Sequence, residues 1–180
     1  MFFKGLFGLA AVLCLAANLN AAEPVTGPVI EAYGPVYPVA EGSFNLKPET
    51  VYKVSMDVSA SEDFSDDVNR RLESAARFLN MHARNGIDPK NIELVIVVHG
   101  SAAKDLLKDE AYQERFDEPN PNTAMLAALH EAGVRIYLCG QTAAYRGFAA
   151  KDLNPAVSLA LSAMTVHVRL QSEGYALIPF

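Results

Sequence analysis

Cys139 and His99 are the two residues whose types and settings point most directly to chemistry. Each closes an apolar run and is followed by glycine, in Val97-Val98-His99-Gly100 and in Val134-Arg135-Ile136-Tyr137-Leu138-Cys139-Gly140. Where such runs are strands of a parallel sheet, both side chains sit at the carboxyl edge, the place where open α/β sheets bind ligands. A thiol that ends a strand just before a helix meets unpaired backbone N–H groups and their partial positive charge. That environment favours thiolate, the form that attacks sulfur electrophiles. The alternative is a buried cysteine acting as a small hydrophobe. His99 carries the same ambiguity. If its strand neighbours that of Cys139, the imidazole can stabilise the thiolate or shuttle a proton; otherwise it ties down its loop.

The residues after the cysteine are the candidate substrate-binding set. Gly140, Gln141 and Thr142 open the following helix, and their amides would steady a negative charge. Arg146, beside Tyr145, offers a guanidinium for an anionic group such as thiosulfate or sulfite, or simply packs at a loop. The remaining histidines read as structural. His167 lies on an apolar helical face, where a satisfied interior histidine is expected, His130 is weaker still, and His82 is expected in solvent near a helix end. Cys139 and His99 are only two protein ligands where zinc takes at least three, so no metal is expected. Single glycines after His99 and Cys139 make no phosphate-binding loop, so no cofactor is expected. No Ser-His-Asp order stands out.

Cysteine usage sharpens the reading of Cys139. The chain has two cysteines, and Cys14 falls within an N-terminal segment with Lys4, an apolar run from Leu6 to Ala17, and small residues at Ala21 and Ala22. This pattern predicts a cleaved secretory signal peptide over residues 1–22 and a periplasmic mature chain. A lipoprotein site at Cys14 is disfavoured by Leu13, which stands where a small residue is wanted. The apolar run is too short for a comfortable membrane span, and no second stretch is long enough. Removal of residues 1–22 leaves 158 of 180 residues, the size of one domain. It also leaves one cysteine, which excludes an intramolecular disulfide and a Cys-X-X-Cys pair. Of 15 basic residues, Lys4 is lost, so 14 stand against 21 acidic ones, a net charge of −7. That balance argues against nucleic acid and anionic membrane surfaces.

The elements that must position these residues follow from periodicity. Residues 23–50 carry five prolines and three glycines among Val25, Val29, Ile30, Tyr33, Val36, Tyr37 and Phe44. The breakers exclude helix, and the apolar content predicts an extended arm lying across its own subunit or a neighbour. Val51 to Val58 alternates as a strand, with Ser55 and Asp57 opposite Val54, Met56 and Val58. Ser61, Asp63 and Ser65 offer caps for a helix carrying Val68, Leu72, Ala75, Ala76 and Leu79, closed by Gly86. Ile92 to Val98 reads as a strand buried on both faces. A short helical piece holds Leu106 and Leu107, and Asp109 to Phe116 reads as a polar, mobile helix or lid. Asn120 to Thr123 supplies a turn and a cap for a helix over Met125 to Ala132. Strands follow at Val134 to Leu138, Val157 to Leu161 and Tyr175 to Ile178, with a helix through Ala163, Val166, His167 and Leu170. Strands alternating with helices give a parallel α/β sheet with helices on both faces.

Three blocks together resemble the DsrE/DsrF-like family: Val97-Val98-His99-Gly100, Gly133 to Gln141, and Leu170-Gln171-Ser172-Glu173-Gly174-Tyr175-Ala176-Leu177-Ile178. The resemblance covers residues 51–180, and the Pro-rich arm is similar to the leader of exported members. It implies a three-layer α/β/α sandwich with a five-stranded parallel sheet, in which the second and third strands are neighbours and His99 lies beside Cys139. It further implies a homo-oligomer, trimer or hexamer, and a sulfur carrier in which Cys139 holds sulfane sulfur as a persulfide between a donor and an acceptor protein. The other reading is a non-catalytic oligomeric binding module with a buried cysteine.

Overall fold

The computed structural model describes residues 22–39, 44–61 and 67–180. Residues 1–21, which carry the expected signal segment and Cys14, lie outside it, as do Asp63 and Ser65. The elements are β1 (Tyr52–Val58), α1 (Arg70–Arg84), β2 (Ile92–Val98), α2 (Asp109–Phe116), α3 (Thr123–Glu131), β3 (Arg135–Cys139), α4 (Gly140–Arg146), β4 (Val157–Ala160), α5 (Ala163–Ser172) and β5 (Ala176–Pro179). The strands form one parallel sheet in the order β4-β3-β2-β1-β5. No helix among the described residues is long and apolar enough to cross a membrane.

Register decides which residues share a face. Val58 pairs with Val98, Val98 with Leu138, and Cys139 with Ala160. Because strand side chains alternate, every even position of β1, β2 and β3 points one way and every odd position the other. The even set, including Val54, Met56, Val58, Leu94, Ile96, Val98, Ile136 and Leu138, packs against Leu72, Ala75, Ala76 and Leu79 of α1 and Met125, Leu126 and Leu129 of α3. The odd set meets α5 in a smaller cluster of Val95, Val97, Cys139, Ala163, Leu170 and Tyr175. The layers are therefore unequal, with the larger core under α1 and α3.

Local chemistry explains where the chain departs from its sequence pattern. The cap of α1 is Asn69, whose Oδ1 accepts from the N–H of Arg71 at 2.9 Å and of Leu72 at 3.3 Å. Ser61 instead donates its hydroxyl to Asp105 Oδ1 at 3.2 Å, and Val68 lies before the helix. The segment expected as a mobile lid is a docked helix: Ala111 and Tyr112 of α2 are buried, and Arg115 Nη2 donates to the Gly147 carbonyl at 3.1 Å. His82, expected in solvent, is buried with its ring stacked on Phe78 at 3.9 Å and its Nδ1 2.8 Å from the Phe78 carbonyl.

The arm lies on α1 of its own chain. Val25 and Val36 form an antiparallel bridge that closes the intervening loop. Asn80, fully buried, holds that loop from below. Its Oδ1 accepts from the N–H of Val29 and Ile30 at 3.1 and 2.9 Å, and its Nδ2 donates to the carbonyls of Ile30 and Tyr33 at 2.9 Å. Glu73 Oε1 accepts from the Gly34 N–H at 3.1 Å, and Arg77 Nε donates to the Pro35 carbonyl at 2.9 Å. A loop without regular structure thus has its buried backbone groups paired.

Candidate functional site

The parity of the strands brings the chemistry together. Asp57, His99 and Cys139 are all odd positions at the carboxyl ends of three adjacent strands, and α5 lays His167 over them. They line one open pocket of about 310 Å³ with Gln141, Thr142, Ser162, Ala163 and Met164. His99 and Cys139 therefore share a pocket, as the neighbouring-strand argument requires.

The two glycines after the site residues have a steric reason. Gly100 has φ +59°, and a Cβ there would lie 2.3 Å from the carbonyl oxygen of Ser59, just past β1. A Cβ at Gly140 would lie 2.4 Å from the carbonyl oxygen of Ala160, at the end of β4. Each glycine lets the chain turn tightly against the neighbouring strand end, which holds the preceding side chain at the sheet edge. Gly140 thus shapes the turn and does not itself line the pocket.

Cys139 is 6 % exposed, and its thiol meets two helix starts. Burial opposes ionisation most strongly. Hydrogen bonds from the backbone N–H of Thr142 and Ala163, from the Thr142 side chain and from the Gln141 N–H together outweigh it and hold the thiol below its ordinary pKa. Ser162 makes this arrangement possible from the α5 side. Its Oγ caps the helix by accepting from the Thr165 N–H at 3.0 Å, which leaves the Ala163 N–H for the sulfur. Gln141 Nε2 reaches the Leu161 carbonyl at 3.4 Å and ties α4 to the same loop.

The imidazole of His99 is engaged elsewhere. Its Nε2 lies 3.1 Å from Asp57 Oδ1, and His167 Nε2 lies 2.9 Å from the same oxygen. His167 Nδ1 is 3.1 Å from the hydroxyl of Ser55, one odd position earlier on β1. His167 is a satisfied histidine on a helical face, as expected, but its partner is the site carboxylate. Among the described residues, no three His, Cys, Asp or Glu groups are arranged to hold a metal ion.

Of the residues expected from sequence, Cys139, His99, Gln141 and Thr142 line this pocket; Asp57, Ser162, Met164 and His167 line it too and were not assigned to the site from sequence. The signal for Asp57 lies in its parity, since an acidic residue on the odd face of β1 must end beside positions 99 and 139 once the three strands pair in register. Arg146 is not brought to the pocket. It stands one turn, roughly 6 Å of helix rise, beyond Thr142, and both it and Tyr145 are exposed outside the lining.

Comparison with solved structures supports the same architecture. One neighbour is a protein of unknown function, MTH1491 from Methanobacterium thermoautotrophicum, at 24 % identity and TM-score 0.51, covering 72 % of this chain and 99 % of that one. Another is the ychN protein from E. coli, at 16 % identity and TM-score 0.52, with the same coverage. Both likenesses concern the fold. No curated protein matches. Residues 53–180, from the second residue of β1 through the cysteine turn to the C-terminus, match the DsrE/DsrF-like family model, and with the five-stranded parallel sheet this places the chain in the DsrE/DsrF-like family.

Proposed function

We propose that this protein is a sulfur carrier in which the Cys139 thiolate accepts a sulfane sulfur, holds it as Cys–S–SH and passes it to a partner. The observation that carries the reading is the setting of Cys139: amides from two helix starts favour its thiolate in a pocket that also holds His99. Membership in a family with sulfur-relay branches supports the same chemistry. One thiol suffices for carriage, because sulfane transfer exchanges one S–S bond for another. A periplasmic location and self-assembly into a trimer or hexamer belong to the proposal. The apolar segment before residue 23 supports the first, and the exposed apolar side chains Leu161, Met164 and Val168 beside the pocket support the second.

The test is intact-mass spectrometry of purified protein after inorganic polysulfide, with Cys139→Ser alongside. A one-sulfur increment that vanishes in the variant is expected; its absence from an alkylatable wild-type thiol sinks the carrier reading. The low exposure of Cys139 favours one competing reading, a binding module with an inert cysteine. Native-state alkylation decides for that reading if the thiol stays unlabelled until the protein is denatured.

A further inference from the structure

The pocket's charge and size constrain what can deliver sulfur to it. Its titratable lining groups are Asp57 from β1, His99 after β2, Cys139 from β3 and His167 from α5, and no Lys or Arg lines it among the described residues. An oxyanion donor such as thiosulfate would enter beside a carboxylate and a thiolate, and the imidazoles there are already bonded to Asp57. The volume of about 310 Å³ is roughly ten times the ~30 Å³ share of one water. It stands at the lower end of the ~300–1,000 Å³ typical of small-molecule sites. Ala163 and the 75 % exposed Met164 supply an apolar wall.

The hydrogen bonds around Asp57 also leave one nitrogen available. If the Ser55 hydroxyl donates to His167 Nδ1, then His167 Nε2–H donates to Asp57 Oδ1. His99 Nε2–H donates to the same oxygen, and His99 Nδ1 has no hydrogen bond among the described residues. Asp57 thus fixes both rings, and His99 Nδ1 is the position from which a proton can be given.

Resting on the carrier reading, we infer that the pocket takes its sulfane sulfur from a small organic persulfide without a charged substituent, reacting in its protonated R–S–SH form, whose carbon-bearing half lies against the Ala163 and Met164 wall. His99 acts as the acid, and Asp57 and His167 are positioning residues. The Cys139 thiolate attacks the terminal sulfur of R–S–SH. A new Sγ–S bond forms, and the donor's S–S bond breaks with its electron pair passing to the inner sulfur. The terminal sulfur keeps its hydrogen, which gives Cys139–S–SH. The departing R–S⁻ takes the proton from His99 Nδ1 of the imidazolium and leaves as R–SH. The sulfane sulfur moves from one thiol to another, so no external oxidant or reductant is needed.

Time-resolved intact-mass spectrometry of the purified protein, with benzyl persulfide or thiosulfate at equal concentration, tests the proposal. Benzyl persulfide is expected to load Cys139 faster by roughly tenfold or more. Asp57→Asn should slow loading by benzyl persulfide roughly tenfold, because the carboxylate that orients His99 is lost, and Asp57→Glu should restore the rate. Thiosulfate loading as fast as benzyl persulfide, or Asp57→Asn loading at the wild-type rate, overturns the inference and leaves the carrier reading standing. Loading by neither donor removes both.

Discussion

On one face of the sheet, Val54, Met56, Leu94, Ile96 and Leu138 meet α1 and α3 in a continuous apolar core. On the other, Ser55 and Asp57 bond His167 of α5, His99 bonds Asp57, and Cys139 joins a small apolar cluster with Ala163 and Leu170 of α5. The two sets are interleaved residue by residue along the same strands. A one-residue change of register would exchange them, placing Asp57 and Cys139 among Leu72 and Leu126. The large core on the even face therefore does more than stabilise: it fixes the register that aligns three odd-numbered side chains at one sheet edge. Stability and chemistry are separated by parity and not by distance.

The largest expected effect comes from damaging the even face. Ile96 is fully buried at the centre of β2, and Ile96→Ala should cost about 2–5 kcal/mol, read from urea unfolding. Cys139→Ser, at the odd edge of the adjacent strand, should change stability by only about 1 kcal/mol. Comparable losses from the two substitutions would mean that the α5 face carries as much of the fold as the α1 face, and the division would fail.

A smaller effect belongs to the even side at the end of α1. Burial lowers the pKa of His82 from its ordinary 6.5, partly opposed by its bond to the Phe78 carbonyl. The unfolded chain then binds more protons than the folded one between the lowered value and 6.5, so stability rises with pH across that window and falls on acidification. His82→Phe should flatten this decline in urea midpoints measured from about pH 7 to pH 5. Parallel declines in wild type and variant would place the acid sensitivity elsewhere.

The contrast between faces also explains what the sequence made legible. The even face is written in unbroken apolar periodicity, and so the strands, α1, α3, α5 and the sheet class could be read directly. The thiol and His99 were visible because each ends an apolar run before glycine. Asp57 was seen on the polar side of its strand, yet a single strand cannot tell which neighbours its polar residues will face. That depends on the sheet order β4-β3-β2-β1-β5, which arises from long-range pairing. Arg146 is the opposite case. It lies within two helical turns of Cys139 in sequence, yet it is exposed and does not line the pocket. The capping of α1 by Asn69 in place of Ser61 is likewise tertiary, since Ser61 is drawn to Asp105, which also accepts from Asn69 Nδ2 at 2.7 Å.

The smallest expected effect is the most specific to the odd face. Amides of α4 and α5 hold the Cys139 thiol below its ordinary pKa despite burial. The pH midpoint of its alkylation by iodoacetamide should therefore lie below that of the same cysteine in urea-unfolded protein. The midpoint and not the plateau is the proper readout, because burial slows access at every pH. The same shift makes the unfolded chain bind more protons between the two midpoints, so Cys139→Ser should remove a small rise of stability with pH in that window. Arg146→Ala should leave the midpoint unmoved, since the guanidinium stands outside the pocket. A midpoint that rises in Arg146→Ala would show that a cation beyond the first turn of α4 sustains the thiolate, and it would return the anion-binding role to Arg146.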